Sequence, residues 1–340
     1  MKTTDFSKYL SDFLGVYLPR GRNMSSHTIS SYCDTFSLFL RFCRDVKGIR
    51  ADRLSLADFN SDLVTAYLKW IETDRKCSVS TRNQRLAAIC SFVRYVQIES
   101  PRHMFELQKI LAIPFKKAKE PVVSYLSADE LKLLLEQPDT SSIYGRRDLV
   151  MLSVLYDTGA RVQELVDLTV RNIRLENPAH ITLTGKGDKS RQVPLLPKTV
   201  DLLRQYLAEM NLRTPDKLDY PVFTNNQKKK FTRAGVAYLL DKYAKMARTY
   251  NQLIPEKVTP HMLRHTKAMH LLQADVNIIY IRDILGHVDV ATTGVYARAD
   301  TKMKRAALEK ADDTKLPSSI PPWAKDQDLL NWLKNLGKDV

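Results

Sequence analysis

Only one segment of this 340-residue chain carries a strong strand signal, and it reads as a single hairpin. Between His180 and Leu195, Ile181 and Leu183 alternate with threonines, Gly185-Lys186-Gly187-Asp188-Lys189 forms a glycine-rich tip, and Val193 and Leu195 resume the alternation. The rest reads helical, and no internal repeat of roughly 20 to 50 residues is visible. The expected fold is therefore mainly α with a small β-hairpin or sheet.

After Ser26, the residues Ile29, Tyr32, Cys33, Phe36, Phe39, Leu40 and Cys43 form an apolar stripe with a 3.6-residue period, which predicts an amphipathic helix. A second helical segment runs from Leu63 through Tyr67 to Ile71, and a third places Leu86, Ile89, Cys90, Val93 and Val96 on one face. Arg82, Arg85 and Arg94 lie off that stripe and read as a solvated face. The four cysteines, Cys33, Cys43, Cys77 and Cys90, lack C-x-x-C spacing and read as reduced, buried thiols rather than as a metal site or disulfide.

Between Pro114 and Val123 the periodicity fails, and two prolines accompany Lys116, Lys117 and Lys119, as in an interdomain linker. Beyond it, Ser127 and Glu130 form an S-x-x-E capping box ahead of Leu131, Leu134 and Leu135. The apolar run Leu149 to Tyr156 predicts a buried helix ending at Gly159. After Ala311 comes a proline-rich tether, then Leu329, Trp332, Leu333 and Leu336 at helical spacing. That short segment packs either on its own domain or on a neighbouring subunit. The expected organisation is a helical domain over 1–113, a basic linker over 114–124, a second domain over 125–312 and a tail over 313–340.

The chain has 53 Lys and Arg against 38 Asp and Glu, a net charge of +15, which argues for an anionic partner, either nucleic acid or a membrane surface. The excess is shared: the first 120 residues hold 20 basic and 12 acidic residues. No stretch approaches the roughly 18 consecutive apolar residues of a membrane span. The N-terminus lacks the apolar core of a signal peptide, so the expected location is cytoplasmic.

Phosphodiester cleavage needs a nucleophile, a proton donor for the leaving oxygen, and cations for charge growing on the non-bridging oxygens. Fixed side chains of suitable type occur at Arg161 after the DTGA turn, Lys186 at the hairpin tip, the pair His261 and Arg264 three apart, His287 after Leu285-Gly286, and Tyr296. Each alone is a weak signal.

In order, the stretches TGARVQEL, TGKGDKSRQVPL, HMLRH and LGHVDVATTGVYAR resemble the four active-site boxes of the tyrosine recombinases, or phage integrase family, in its compact Xer-like form. The resemblance spans essentially the whole chain and implies an N-terminal helical core-binding (SAM-like) domain followed by a mixed α/β catalytic domain. It implies that Tyr296 attacks the scissile phosphate to form a 3′-phosphotyrosyl link, without metal or cofactor. Arg161 and Arg264 would clamp the non-bridging oxygens, and Lys186 would protonate the departing 5′-oxygen. His261 would assist proton transfer near the nucleophile, and His287 would bind and position the phosphate. Glu164 would orient an arginine or the helix, whereas His265 and His270 fall outside the pattern and read as structural.

The implied function is site-specific cutting and rejoining of double-stranded DNA at paired recombination sites, by an integrase or transposase. It would act as a tetramer on two duplexes and be a monomer or dimer when free. A type IB topoisomerase shares this chemistry, and a non-catalytic DNA-binding protein would share the charge; both remain alternatives at this stage.

Overall fold

Short polar side chains set where the N-terminal helices begin, each accepting a hydrogen bond from an otherwise unpaired N–H of the first turn. The computed structural model describes residues 4–118, 123–185, 187–287, 293–296 and 331. Thr4 caps α1 (Asp5–Asp12), Ser25 caps α2 (Ser26–Lys47), Asn60 caps α3 (Ser61–Thr73) and Ser78 caps α4 (Val79–Glu99). Thus α2 starts at Ser26 itself, one residue earlier than its stripe suggests, because Ser25 supplies the cap. A π-helical stretch, Phe13–Gly21, follows α1, and α5 (Met104–Leu111) follows α4.

The Chain divides into two units, Met1–Pro121 and Val122–Val340. The first is all helical, and its core is aromatic: Phe6, Phe13, Phe36, Phe39, Phe59 and Phe92 are buried. Phe92 meets Phe13 and Phe36 edge-on, with ring centroids 5.4 and 5.2 Å apart. Of the cysteines, all free, Cys43 and Cys90 are buried, and Cys33 and Cys77 are half-buried.

The arginines of α4 depart from the solvated reading. Arg94 is exposed, but Arg82 is buried and donates to the Pro114 carbonyl at 2.8 Å, while Arg85 donates to the Thr35 hydroxyl at 2.9 Å. The cause is the chain that packs beside them. Asn83 exchanges hydrogen bonds with the backbone of Lys116, and the Lys116 ammonium pairs with Glu72 at 2.8 Å. The first residues of the basic stretch are therefore strapped to the helices rather than free.

In the second unit, the expected capping box of Ser127 and Glu130 is present and starts α6 (Ala128–Leu135). The buried helix α7 (Ile143–Thr158) stops at Gly159, whose φ is +57°. Then come α8 (Val162–Val166), β1 (Ile173–Arg174), β2 (His180–Thr184), β3 (Ser190–Pro194), α9 (Pro197–Glu209), α10 (Arg233–Arg248), α11 (Pro260–Gln273) and α12 (Ile278–Leu285). The hairpin pairs Ile181 with Val193 and Thr184 with Ser190. A short strand not anticipated from the sequence, β1, adds to its other edge, so the sheet is antiparallel with three strands in the order β1-β2-β3. Among the described residues, no helix is long and apolar enough to cross a membrane.

Candidate active site

A helix C-terminus leaves its last carbonyls without intrahelical partners and concentrates partial negative charge there. At the end of α12 those carbonyls are taken by three arginines from three different elements. Arg191 on β3 donates through Nε to Ile284 O at 2.8 Å. Arg264 on α11 donates through Nη2 to Leu285 O at 2.6 Å, and Arg161 ahead of α8 donates through Nη2 to Gly286 O at 3.2 Å. Arg264 also reaches the Gly159 carbonyl at 2.7 Å, which ties the end of α7 to the same point.

Gly286 makes this convergence possible. Its φ of +65° ends α12 in the left-handed conformation, and a Cβ there would lie 2.8 Å from Nη1 of Arg191.

Three guanidiniums in one place repel one another unless a carboxylate lies among them. Glu164 supplies it from the first turn of α8. Its Oε1 accepts from Arg161 Nη1 at 2.8 Å and Arg191 Nη1 at 3.0 Å, and its Oε2 accepts from Arg191 Nη2 at 2.7 Å and the Arg161 N–H at 2.9 Å. Burial pushes the Glu164 carboxyl up, but the Arg191 and Arg161 bonds outweigh it and hold the group below the ordinary carboxylate range. Arg161 stays substantially open to solvent, with 44% of its side chain exposed, whereas Arg264 is 2% exposed. Burial, then the like charges of Arg161 and Arg191, push the Arg264 guanidinium down to about 10, so it remains cationic at neutral pH. A cavity of about 470 Å³ opens beside the cluster, lined by Arg161, Gly185, Lys189, Ser190, Arg191, Gly286 and His287.

Tyr296 lies in the helical residues 293–296 and is buried against Ala268, Met269, Leu272, Ile281 and Leu285. Its hydroxyl lies 2.8 Å from Nδ1 of His265, and the rings meet at 62° with centroids 5.4 Å apart. His261, one turn earlier on α11, packs its ring against His265 at 4.4 Å. His287 stacks near Tyr296 at 6.3 Å and is fixed through Nδ1 to the Thr293 hydroxyl at 2.9 Å.

The electrostatics follow from burial and the cations. Burial, followed by Arg264, Arg161 and Arg191, pushes His287 down to about 4; burial, His261 and Arg264 do the same to His265. Both imidazoles are neutral at pH 7. Burial raises the Tyr296 phenol above its ordinary value, against the pull of Arg264 and Arg161, so it keeps its proton at rest.

Five of the six residues singled out in the sequence, Arg161, His261, Arg264, His287 and Tyr296, thus gather around the ends of α7, α11 and α12. Lys186 lies outside the described residues, as do Leu329, Trp332, Leu333 and Leu336 of the tail. Gly185 and Lys189, which flank Lys186, close the tip with a 2.9 Å backbone bond. His270 is structural as expected, bonded to the Tyr156 hydroxyl and the Leu126 carbonyl.

Two residues were missed. His265, which the sequence pattern places among structural residues, is the hydrogen-bond partner of the Tyr296 hydroxyl among the described residues. The available signal was its i, i+4 spacing from His261. Arg191 lies inside TGKGDKSRQVPL without matching an expected role; only its place on the hairpin strand beside the Lys186 tip marks it out.

Comparison with known proteins accords with this geometry. The N-terminal SAM-like domain of phage integrases matches residues 16–100, and the phage integrase family matches residues 124–303. A Sinorhizobium fredii protein carrying the name integrase/recombinase is 36% identical over 337 residues, 98% of this chain and 99% of that one. The tyrosine recombinase XerD of Listeria monocytogenes is 31% identical over 297 residues, 87% of this chain and 95% of its own. The solved structure of the site-specific recombinase XerH bound to palindromic difH substrate shares the fold, with a TM-score of 0.66 at 22% identity over 89% of this chain and 85% of that one. With both halves matched and the relatives covered almost end to end, the chain belongs to the phage integrase family, the tyrosine recombinases.

Proposed function

We propose that Tyr296 of this site-specific DNA recombinase attacks the scissile phosphate of a DNA strand and holds it as a 3′-phosphotyrosyl ester until a new 5′-hydroxyl displaces it. The protein is a DNA strand-exchange enzyme, and topoisomerase-like relaxation is not the favoured reading. The observation that carries the residue assignment is the convergence of Arg161 and Arg264 on the end of α12, beside Tyr296. A guanidinium has five N–H donors. Among the described residues each of these two spends only part of its set on the protein, and the other donors are available to the two non-bridging oxygens. Because the guanidiniums are fixed before substrate arrives, little reorganisation accompanies the charge that grows in the transition state.

In this reading Lys186 protonates the leaving 5′-oxygen, His287 binds and positions the phosphate, and His261 assists proton transfer near the nucleophile. The substrate is double-stranded DNA with paired sites, engaged by a tetramer on two duplexes, with the free protein a monomer or dimer. Integration or transposition of a mobile element in the cytoplasm is the proposed setting, supported by the Sinorhizobium fredii relative that carries the name integrase/recombinase, and the tail from Leu329 to Leu336 is suited to link neighbouring protomers.

The assignment is tested with nicked duplexes built on the sequence that the protein selects from a randomised DNA pool. Wild-type protein should accumulate a covalent adduct with chelator present, and Tyr296→Phe should reduce it to background. An adduct of undiminished yield in that variant would overturn the nucleophile.

A further inference from the structure

We propose that His265, through Nδ1, is the catalytic base that takes the phenol proton of Tyr296 as its oxygen attacks phosphorus. The inference rests on the reading of Tyr296 as nucleophile and assigns the proton a destination on this chain.

Geometry carries it. Nδ1 of His265 lies 2.8 Å from the Tyr296 hydroxyl, within the range for direct proton transfer. His265 sits on α11 immediately after Arg264, so the residue that would hold the phosphate and the one that would take the proton are fixed by one helix. His261 is differently placed. It is exposed, and its ring packs against His265 at 4.4 Å, with no hydrogen bond to Tyr296 among the described residues.

The protonation states agree. His265 is pushed down to about 4 by burial, by His261 and by Arg264, so it is neutral, and in the tautomer protonated on Nε2 its Nδ1 accepts from the Tyr296 hydroxyl. Tyr296 is held above its ordinary value and has a proton to give. At rest the proton therefore stays on the phenol, and transfer becomes favourable only when anionic phosphate sits beside the imidazole and stabilises the imidazolium. A base of this kind acts during attack and does not generate a free phenolate in the resting enzyme.

The step balances. The O–H bond of Tyr296 breaks with its electron pair left on oxygen, which forms the bond to phosphorus, and the proton moves to Nδ1 of His265. The bond from phosphorus to the 5′-oxygen breaks, its electrons go to that oxygen, and Lys186 supplies its proton in the proposed reading. Rejoining runs both transfers backwards, with His265 returning the proton to the departing phenol.

The test uses the full chain and the same selected, nicked duplexes, with one set carrying a bridging 5′-sulfur at the scissile position, a leaving group that needs no protonation. His265→Ala is expected to slow adduct formation by about 10²- to 10⁴-fold, the usual range for a positioned acid or base. DNA affinity and melting temperature should remain near wild type. His265→Asn places an amide near the position of Nδ1, so it can orient the phenol but cannot take its proton; it should stay as slow as the alanine variant. The 5′-sulfur duplex should leave both variants slow.

Recovery of wild-type rate in His265→Asn would reduce His265 to a positioning residue and overturn the proposal. Rescue by the 5′-sulfur duplex would overturn it too, by moving the defect to the leaving group. A DNA-free readout is the ¹⁵N spectrum of the intact protein at pH 7, where His265 should appear as the neutral form protonated on Nε2; a proton on Nδ1 would overturn the proposal. A Tyr296→Phe protein that still forms adduct defeats the nucleophile instead, whatever the His265 variants do.

Discussion

Without the Glu164 carboxylate, Arg161 and Arg191 would face each other as like charges in a half-enclosed space, each having lost its strongest partner. All four acceptor positions of this carboxylate are filled, and its side chain is 3% exposed. Breaking a buried, hydrogen-bonded ion group from one side costs about 3–5 kcal/mol, because the remaining charges stay desolvated. Glu164→Ala should therefore lower unfolding free energy by about 3 kcal/mol in urea titrations at pH 7. Cleavage should fall further than the lost stability explains, since Arg161 loses one of its two anchors. The sign with pH follows from the depressed carboxyl. Its folded pKa lies below its ordinary 4.5, so its contribution is complete above that value and is lost as pH falls through the folded one. The gap between wild type and Glu164→Ala should accordingly narrow in acid. His265 and His287 act in the same direction at higher pH. Both titrate near 4 when folded and near 6.5 when unfolded, so acidification between those values favours the unfolded chain.

At the scale of elements, α12 acts as a fixed negative post around which α7, α8, β3 and α11 bring their groups. Gly286 gives it that form. Gly286→Ala would need a left-handed backbone, at about 1–2 kcal/mol, and would put a methyl carbon against Arg191. The expected result is a loss of about that size in unfolding free energy and a slower cleavage step, measured by denaturant titration and single-turnover adduct formation. A variant as active and stable as wild type would show that Arg191 can leave Ile284 without consequence. The elements also show what a sequence can and cannot say. The box around Ser127 and Glu130 and the stop at Gly159 are local and could be read directly, because their partners lie within a few residues. The two-residue strand β1 could not, since two residues are too few to show any period. Nor could the roles of Arg191, Arg82 and His265, whose partners lie 27, 32 and 31 residues away. The resemblance in the active-site boxes named most of the site; the contacts that hold it together came only from the packing.

At the scale of the whole molecule, the net charge of +15 is spread over both units: +8 falls within the first 120 residues and +7 after them. Each unit also has its own core, aromatic in Met1–Pro121 and aliphatic-rich in Val122–Val340. Separate cores imply separate folding, and separate positive charge implies separate contact with phosphates. Each phosphate neutralised releases condensed counterions, so the logarithm of the binding constant falls with the logarithm of salt by about 0.9 per contact on duplex DNA. Residues 1–121 and 122–340, expressed apart, should each unfold cooperatively and each bind duplex DNA more weakly than the intact chain. Their salt slopes should sum to roughly the slope of the intact chain, because the phosphate contacts are divided between the pieces rather than duplicated. The tether adds effective concentration, which raises affinity without changing how many counterions leave. Fluorescence anisotropy of a labelled duplex across a salt series measures all three slopes. If residues 1–121 fold but show no salt-dependent binding, their excess charge has another purpose, and duplex recognition belongs to the second unit alone.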